Sequence, residues 1–334
     1  MKILVTGGLG FIGINFIKKL ITYDNVKILN IDNLSKFKIL NSKLNFDKKK
    51  YFFKKIDICN YNLLKKVFFE FQPNFVINFA AETHVDNSIS DPFVSIQTNI
   101  FGTYNLLEIS RIFLEAKKNY YNKFKFIHIS TDEVYGSLQP TEKSSTEESQ
   151  YKPNSPYSAS KASSDHLVRA WYKTYKIPTL ITHCTNNYGP FQFYEKLVPK
   201  TIKHCFENKS IPIYGNGQNV RDWIHVSDHV DYILQIMFNG QVGSTYNIGS
   251  NSEIANIDLV KIICKFFDSF IPKDKSHLKL IKFVKDRKGH DQRYSLDIKK
   301  IKKELKIVKK RNLEDGLKET IIWYLENKDF FKDN

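Results

Sequence analysis

The chain has 334 residues, with 51 Lys+Arg against 35 Asp+Glu for a net charge of +16, 42% hydrophobic and 26% charged. These are the proportions of an ordinary folded protein, which excludes disorder, and the length exceeds the roughly 250 to 300 residues at which one core stops growing, so two lobes are expected. The lysines are scattered, at 48–50, 117–118, 299–300, 302–303 and 309–310, among plentiful Asn, Ile, Phe and Tyr. That scatter reads as A/T-rich codon usage, not as a patch for nucleic acid, and no nucleic-acid partner is expected. Cys59, Cys184, Cys205 and Cys264 have no CxxC or zinc spacing, which reads as reduced cytosolic thiols. The apolar start at 1–5 turns to glycine at Gly7, too short for a signal peptide. No run approaches the roughly 18 apolar residues of a membrane helix. The expectation is a cytoplasmic protein without a membrane partner.

Strand-like apolar runs alternate with segments of helical period at 3–6, 10–22, 26–31, 61–71, 75–79, 92–117, 124–130, 156–175 and 179–183. Strands separated by helices predict right-handed crossovers and a parallel sheet. Their near-continuous apolar character predicts helices on both faces. The fold class expected is therefore α/β, a doubly wound parallel sheet of the Rossmann type, with a smaller, mainly C-terminal α/β lobe. After Gly189-Pro190 the elements shorten around Pro199, Pro212, Gly215 and Gly217, with helical stretches near 256–267 and 313–326. This places a dinucleotide-binding domain at 1–189 and a lobe that closes over the sheet at 190–334, with 230–237 and 246–248 as segments that return to the large domain. Residues 42–50 read as a solvated connection.

Gly7-Gly8-Leu9-Gly10-Phe11-Ile12-Gly13 follows the first strand and opens the first helix. The spacing provides a tight turn, close approach of amides to a pyrophosphate and close helix–sheet packing, with the anion at the helix N-terminus. Asp32 ends the second strand, 19 residues after Gly13, where a carboxylate accepts from ribose hydroxyls and repels a 2′-phosphate. NAD is favoured over NADP, with Lys36 and Lys38 acting against the argument. Asp57-Ile58, after a third strand, either flanks the adenine or belongs to a solvated loop.

The run 124–130 ends in Ser130-Thr131-Asp132-Glu133, at the strand end where doubly wound folds place ligands. Two carboxyls there suit an acid and a base. Downstream, Tyr157 and Lys161 stand four apart on one predicted helical face. The positive charge of Lys161, with that of oxidised nicotinamide, is expected to make the phenolate accessible well below about 10. Tyr157 then takes a hydroxyl proton while hydride leaves for NAD. Thr131 bonds the same hydroxyl. The HxxxH spacing of His225 and His229 is expected to be structural, with Ser227 or Asp228 as a helix N-cap and no metal.

Across nearly its whole length the chain resembles the extended short-chain dehydrogenase/reductases that act on nucleotide sugars, most closely the dTDP-glucose 4,6-dehydratases. The resemblance lies in Ala80-Ala81-Glu82-Thr83-His84-Val85-Asp86, Ser130 through Gly136, Tyr157 through Lys161, Asn186-Asn187-Tyr188-Gly189-Pro190, Glu195-Lys196-Leu197, Val220-Arg221-Asp222-Trp223 and Asp286-Arg287-Lys288-Gly289-His290-Asp291. It implies that C4 of the sugar is oxidised, that Glu133 removes the acidified C5 proton, that Asp132 protonates the departing C6 hydroxyl and that the hydride returns to C6. The two carboxyls then need opposite protonation states, with Asp132 the more desolvated or proton-sharing member. It further implies that Ala80, Ala81, Glu82 and Thr98 lie along the cofactor, Phe11, Ile12, Asn33, Leu34 and Ser35 at its phosphate and adenosine ends, and Asn187 near the nicotinamide. His84, Asn186, Lys196, Leu197, Pro212, Ile213, Tyr214, Arg221, Asn256, Asp286, Arg287 and His290 are implied for the nucleotide-sugar cleft. Arg221 and Lys196 suit a diphosphate, and Tyr214 a base or ribose. A homodimer is implied too, through a four-helix bundle of the segments 92–117 and 156–175.

Two departures stand out. Residues 36–39 replace a Tyr-Ala-Gly-Asn-like stretch, which puts the adenosine contacts there in doubt, and Lys288 replaces a proline. The rival readings are a UDP-glucose 4,6-dehydratase, a nucleotide-sugar 4-epimerase or decarboxylase, families that usually lack the adjacent Asp-Glu, and an NAD-binding regulatory protein on the same fold. The choice between dTDP and UDP stays open at the level of sequence.

Overall fold

Successive residues of a strand face opposite ways, and the first strand shows what that does here. Its Ile3 and Val5 enter one apolar core with Phe16, Ile17 and Ile127, while Leu4 enters a second with Leu29, Val76, Phe113 and Phe126. A sheet with a core on each face needs helices on both sides. The chain, described by a computed structural model over residues 1–35, 46–272, 274–307 and 311–331, meets that need. Residues 36–39, the departure noted above, and 42–45 of the expected solvated connection lie outside the described residues.

In chain order the strands are β1 (Lys2–Thr6), β2 (Lys27–Asp32), β3 (Tyr51–Lys55), β4 (Phe75–Asn78), β5 (Lys125–Thr131), β6 (Thr179–Cys184), β7 (Asn186–Tyr188), β8 (Ile211–Tyr214), β9 (Val220–His225), β10 (Thr245–Ile248), β11 (Glu253–Ala255) and β12 (Ile281–Val284). Seven form one parallel sheet in the order β10-β6-β5-β4-β1-β2-β3. The strand order reverses between β1 and β4, so a crevice opens beyond the carboxyl ends of the strands there. The doubly wound α/β fold is thus as the sequence predicts. β10 comes from far down the chain to pair with β6, and the helix Val226–Asn239 packs in the same core as the helix Phe11–Leu20. Beyond the sheet, β7, β9 and β11 form a three-stranded sheet and β8 pairs with β12. A third apolar core, including Ile202, Ile213, Trp223, Ile263, Leu317 and Tyr324, holds these pieces together.

Two helices have ends set by local chemistry. Asn60 caps Tyr61–Phe71 by accepting the Leu63 N–H. Ser155 and Ser158 form a reciprocal capping box at Pro156–Tyr175, with Pro156 in its first turn. The segment predicted as one helix over 92–117 is instead broken into Pro92–Ser95, a π-helical stretch Ile96–Phe101, and Gly102–Ala116. The cause is Asn99, buried in that stretch. Its Oδ1 accepts the Glu82 N–H at 2.9 Å, and its Nδ2 donates to Glu82 O at 3.1 Å and Ser160 Oγ at 2.8 Å. The extra residue per turn lets one side chain clamp the segment after β4 to the helix that carries Tyr157. Among the described residues no helix is long and apolar enough to cross a membrane.

Candidate active site

The carboxyl ends of the parallel strands and the C-terminal elements enclose a cleft of about 520 Å³. At one end lies the glycine turn. Gly7 has φ +66°, and a Cβ there would lie 2.6 Å from Ala80 N. A Cβ on Gly13 would lie 2.5 Å from Gly7 O and 2.7 Å from Gly8 Cα, so both positions require glycine for the turn to close on itself. Gly10 caps Phe11–Leu20 without a side chain, and the first turn carries no acidic residue, which leaves its amides and the helix dipole for an anion. Asp32 sits at the end of β2 with Oδ2 accepting the Leu9 N–H at 3.1 Å and Oδ1 the Leu34 N–H at 2.9 Å. It ties the glycine loop to the ribose end, and burial raises its carboxyl above the usual range. Asp57 accepts from Asn33 Nδ2 at 3.0 Å. A cradle that admits no Cβ, followed by uncapped amides and then a carboxylate, fits a dinucleotide.

The middle of the cleft is built by β5 and the helix Pro156–Tyr175. β5 ends in Thr131, whose hydroxyl donates to Asp132 Oδ1 at 3.3 Å and accepts the Glu133 N–H at 3.3 Å. Asp132 is 4% exposed, and its Oδ2 is buried without a hydrogen-bond partner. Burial, reinforced by the neighbouring Glu133 charge, raises the Asp132 carboxyl well above its ordinary value, with Arg221 opposing. Burial also raises Glu133, but Arg221, Lys196 and Arg287 all pull it back. Both carboxyls are thus raised, Asp132 well above its ordinary value and Glu133 with three cations opposing the rise, which leaves Asp132 as the acid and Glu133 as the more readily ionised member. Lys161 Nζ donates to Ile129 O at 2.7 Å, and burial lowers its ammonium to about 8.

The expected phenolate leans on the charge of oxidised nicotinamide as well as on Lys161, because the protein groups around Tyr157 act the other way. Burial pushes Tyr157 well above 10, the charges of Glu133 and Asp132 add to this, and the Thr131 hydroxyl only partly offsets it.

At the far end, residues from the C-terminal elements meet those that follow β4. Arg287 Nε and Nη2 donate to Asp86 at 2.6 and 3.0 Å, and the guanidinium lies 5.2 Å from the Tyr214 ring. Lys196 Nζ donates to Thr83 O at 2.9 Å, and His84 Nε2 lies 3.5 Å from Glu195. Arg221, 6% exposed, donates to the carbonyls of Val220, Gln292 and Asp291 and lies 4.1 Å from the Tyr294 ring. Asn256 Oδ1 is buried without a partner.

Of the residues singled out from sequence, the cleft lining brings together Gly7, Gly10, Phe11, Ile12, Gly13, Asp32, Asn33, Ser35, Asp57, Ile58, Ala80, Ala81, Glu82, His84, Thr98, Thr131, Asp132, Glu133, Tyr157, Lys161, Asn186, Asn187, Lys196, Leu197, Pro212, Ile213, Tyr214, Arg221, Asn256, Arg287 and His290. Leu34 and Asp286 are outside it. Leu34 has φ +60° and serves Asp32 through its backbone N–H. Asp286 turns to His290 Nδ1, 2.7 Å away, and holds the loop instead. Unforeseen lining residues include Cys184, Thr185, Gln192, Lys200 and Tyr294, none of them in a pattern with chemical meaning of its own. His225 is itself the N-cap of Val226–Asn239, its Nδ1 accepting the Ser227 N–H, in place of the predicted Ser227 or Asp228. His229 Nδ1 meets Asn187 Oδ1 at 2.8 Å.

A family model described as GDP-mannose 4,6 dehydratase matches residues 4–320. The dTDP-glucose 4,6-dehydratase of Haemophilus influenzae is 47% identical over 337 residues, covering 98% of this chain and 98% of that protein. Among solved structures, the chain is similar to the dTDP-glucose 4,6-dehydratase of Bacillus anthracis in complex with NAD, at 43% identity and a TM-score of 0.86 over 99% of each chain. It is similar also to that of Streptomyces venezuelae with NAD bound, at 36% identity and a TM-score of 0.89 over 99% of each chain.

Proposed function

The chain belongs to the GDP-mannose 4,6 dehydratase family, and on that premise we propose that it converts dTDP-glucose to dTDP-4-keto-6-deoxyglucose and water, using NAD without net redox change. The observation that carries this reading is the buried, unpartnered Asp132 Oδ2 beside Glu133, in the cleft that also holds Thr131, Tyr157 and Lys161. A simple dehydrogenase or epimerase has no work for an acid–base carboxyl pair at that place.

Thr131 and Tyr157 receive the C4 hydroxyl, and Tyr157 takes its proton. NAD, when bound, would supply the acceptor for the C4 hydride, the donor of that hydride to C6, and a positive ring charge beside Tyr157 against Glu133 and Asp132. Gly7, Gly10 and Gly13 would hold its pyrophosphate and Asp32 its adenosine ribose. Glu133, the more anionic carboxyl, removes the C5 proton once C4 is a ketone. Asp132 gives its proton to the C6 hydroxyl, which departs as water. Glu133 returns a proton to C5 as C6 is reduced. Each turnover therefore leaves Tyr157 with one proton too many and Asp132 one short, which exchange with solvent resets. Arg221, Lys196 and Arg287 gather positive charge at the diphosphate end.

Incubation with dTDP-glucose and no added reductant should yield the 4-keto-6-deoxy sugar, and an epimerised or decarboxylated product would overturn the reading. The ratio of kcat/KM for dTDP-glucose over UDP-glucose tests the base preference, with dTDP-glucose expected to be the better substrate. The division into a cofactor domain at 1–189 and a mainly sugar-nucleotide lobe at 190–334 is part of the same proposal. So is a homodimer. Phe93, Phe101 and Tyr175 are 63%, 56% and 46% exposed on the two helical segments expected to pair, a concentration of aromatic surface that a second copy would cover. Sedimentation as a monomer at micromolar concentration would refute it. A cytoplasmic location rests on the four free cysteines.

A further inference from the structure

Asp165 stands four residues after Lys161, as Lys161 does after Tyr157, so the three share one face of Pro156–Tyr175. It is 1% exposed, and no step above uses it. Its Oδ2 accepts from Ser130 Oγ at 2.8 Å and lies 3.1 Å from His183 Nε2. Its Oδ1 has no hydrogen-bond partner and lies 3.5 Å from His128 Nε2. That same His128 nitrogen is 3.4 Å from Lys161 Nζ. On the other side of the ring, Asn78, whose Oδ1 accepts from Thr6 Oγ1 at 2.7 Å, places its Nδ2 3.1 Å from His128 Nδ1. An amide donor at Nδ1 assigns the proton of the neutral ring to Nε2, between Asp165 and Lys161.

A buried carboxylate persists as an anion only where donors and positive charge surround it. Burial alone would raise Asp165, but the His183 hydrogen bond and the neighbouring positive charge hold it below its usual value. Outside the cluster, Glu147 and Asp132 act on the Tyr135 phenol and Arg169 on that of Tyr151. Burial pushes the Cys184 thiol on β6 up to about 12, and it pushes up the phenols of Tyr135 and Tyr151, which hold the two nitrogens of His183 at 2.7 and 2.9 Å. Lys161, on losing its water shell, is left with Ile129 O as its close acceptor and Asp165 as the anion on its own helix face.

We propose that Asp165 is the counter-ion that keeps Lys161 charged and seated, with the His128 ring as the spacer between them, making both positioning residues for proton transfer at Tyr157. The inference rests on the reading that Tyr157 and Lys161 carry out the C4 oxidation. Its first test needs no turnover.

In the full chain without cofactor, NMR of 13Cε-labelled lysine follows the Lys161 ammonium, its resonance assigned by its loss in Lys161→Met. The midpoint should lie near 8, fall by about one unit or more in Asp165→Asn, and return most of the way in Asp165→Glu. An unchanged midpoint in folded Asp165→Asn overturns the proposal. In single turnover, the alkaline limb of C4 oxidation should move to lower pH by the same amount, whereas a merely structural role would lower the amplitude and leave the limb in place. A shifted NMR midpoint in a chain inactive on dTDP-glucose would sink the functional reading and leave the counter-ion standing. Should Asp165→Asn not fold, the 13Cγ resonance of Asp165 in the unaltered chain, assigned through Asp165→Glu, decides. A carboxylate throughout about pH 6 to 9 supports the proposal, and protonation within that range overturns it.

Discussion

Replacing Asp132 with Asn removes a transferable proton and almost nothing else. The side chain is 4% exposed, with Oδ1 bonded to the Thr131 hydroxyl and Oδ2 unpartnered, so an amide of the same outline fits. It cannot protonate the departing C6 hydroxyl. General-acid assistance contributes about 10²- to 10⁴-fold, so elimination should slow by that factor, a barrier increase of about 3–5 kcal/mol at 1.36 kcal/mol per decade. C4 oxidation, which belongs to Thr131 and Tyr157, should stay within about tenfold of the unaltered rate. In rapid-mixing absorbance the reduced nicotinamide should then appear at nearly the normal rate and persist. The same change acts on stability with a sign that follows from burial. Asp132 holds its proton more tightly folded than unfolded, so its contribution is fully present below its ordinary value of 3.8 and is lost as pH rises. Asn never ionises, so Asp132→Asn should melt higher than the unaltered protein at neutral pH, with the gap closing in acid. Elimination at the unaltered rate would refute the assignment of Asp132 as the acid. A lower Tm at neutral pH would refute its description as a desolvated carboxyl.

Tyr157→Phe should stop the cycle earlier, with C4 oxidation down by roughly 10²- to 10⁴-fold and NAD affinity within about threefold, read by single turnover and calorimetry. Gly13→Ala places a Cβ 2.5 Å from Gly7 O, so the turn must open. At about 1–3 kcal/mol for such overpacking, NAD should bind roughly 5- to 150-fold more weakly, and an unchanged Kd would contradict the glycine turn as the pyrophosphate seat. Arg287→Met loses a bidentate pair to Asp86 whose partners are 26% and 36% exposed. Solvent screening limits that pair to about 1 kcal/mol, so KM for dTDP-glucose should rise by up to roughly fivefold with kcat nearly constant.

The parallel sheet was legible because its strands are short apolar runs and its helices carry their own boundary signals, as at Asn60 and at Ser155-Pro156. The π-helical stretch at Ile96–Phe101 was not. Nothing in Ile-Gln-Thr-Asn-Ile-Phe departs from helical pattern, and the cause is a tertiary clamp from Asn99 to Glu82 and Ser160. In the C-terminal part the helices at 256–267 and 313–326 were legible, but the strand pairing was not, since β8 pairs with β12 some 70 residues later, an association no local pattern encodes. Within the cleft, motif residues could be named because resemblance carried them. The pairing of Arg287 with Asp86, the unpartnered Asp132 Oδ2 and the Asp165–His128–Lys161 contact depend on side chains from separate elements meeting. The upward push on the Tyr157 phenol was not legible for the same reason: the spacing to Lys161 shows in sequence, and the burial of the phenol beside two carboxyls does not.

The central claim is that one hydride leaves C4 and returns to C6 of the same sugar, with the carboxyl pair removing water in between. Turnover of dTDP-[4-²H]glucose by the unaltered chain with catalytic NAD measures this directly, by mass spectrometry and NMR of the product. The account expects a 4-keto-6-deoxy sugar with deuterium at C6. Deuterium retained at C4, lost to solvent, or found in a sugar that still carries its C6 hydroxyl would contradict it.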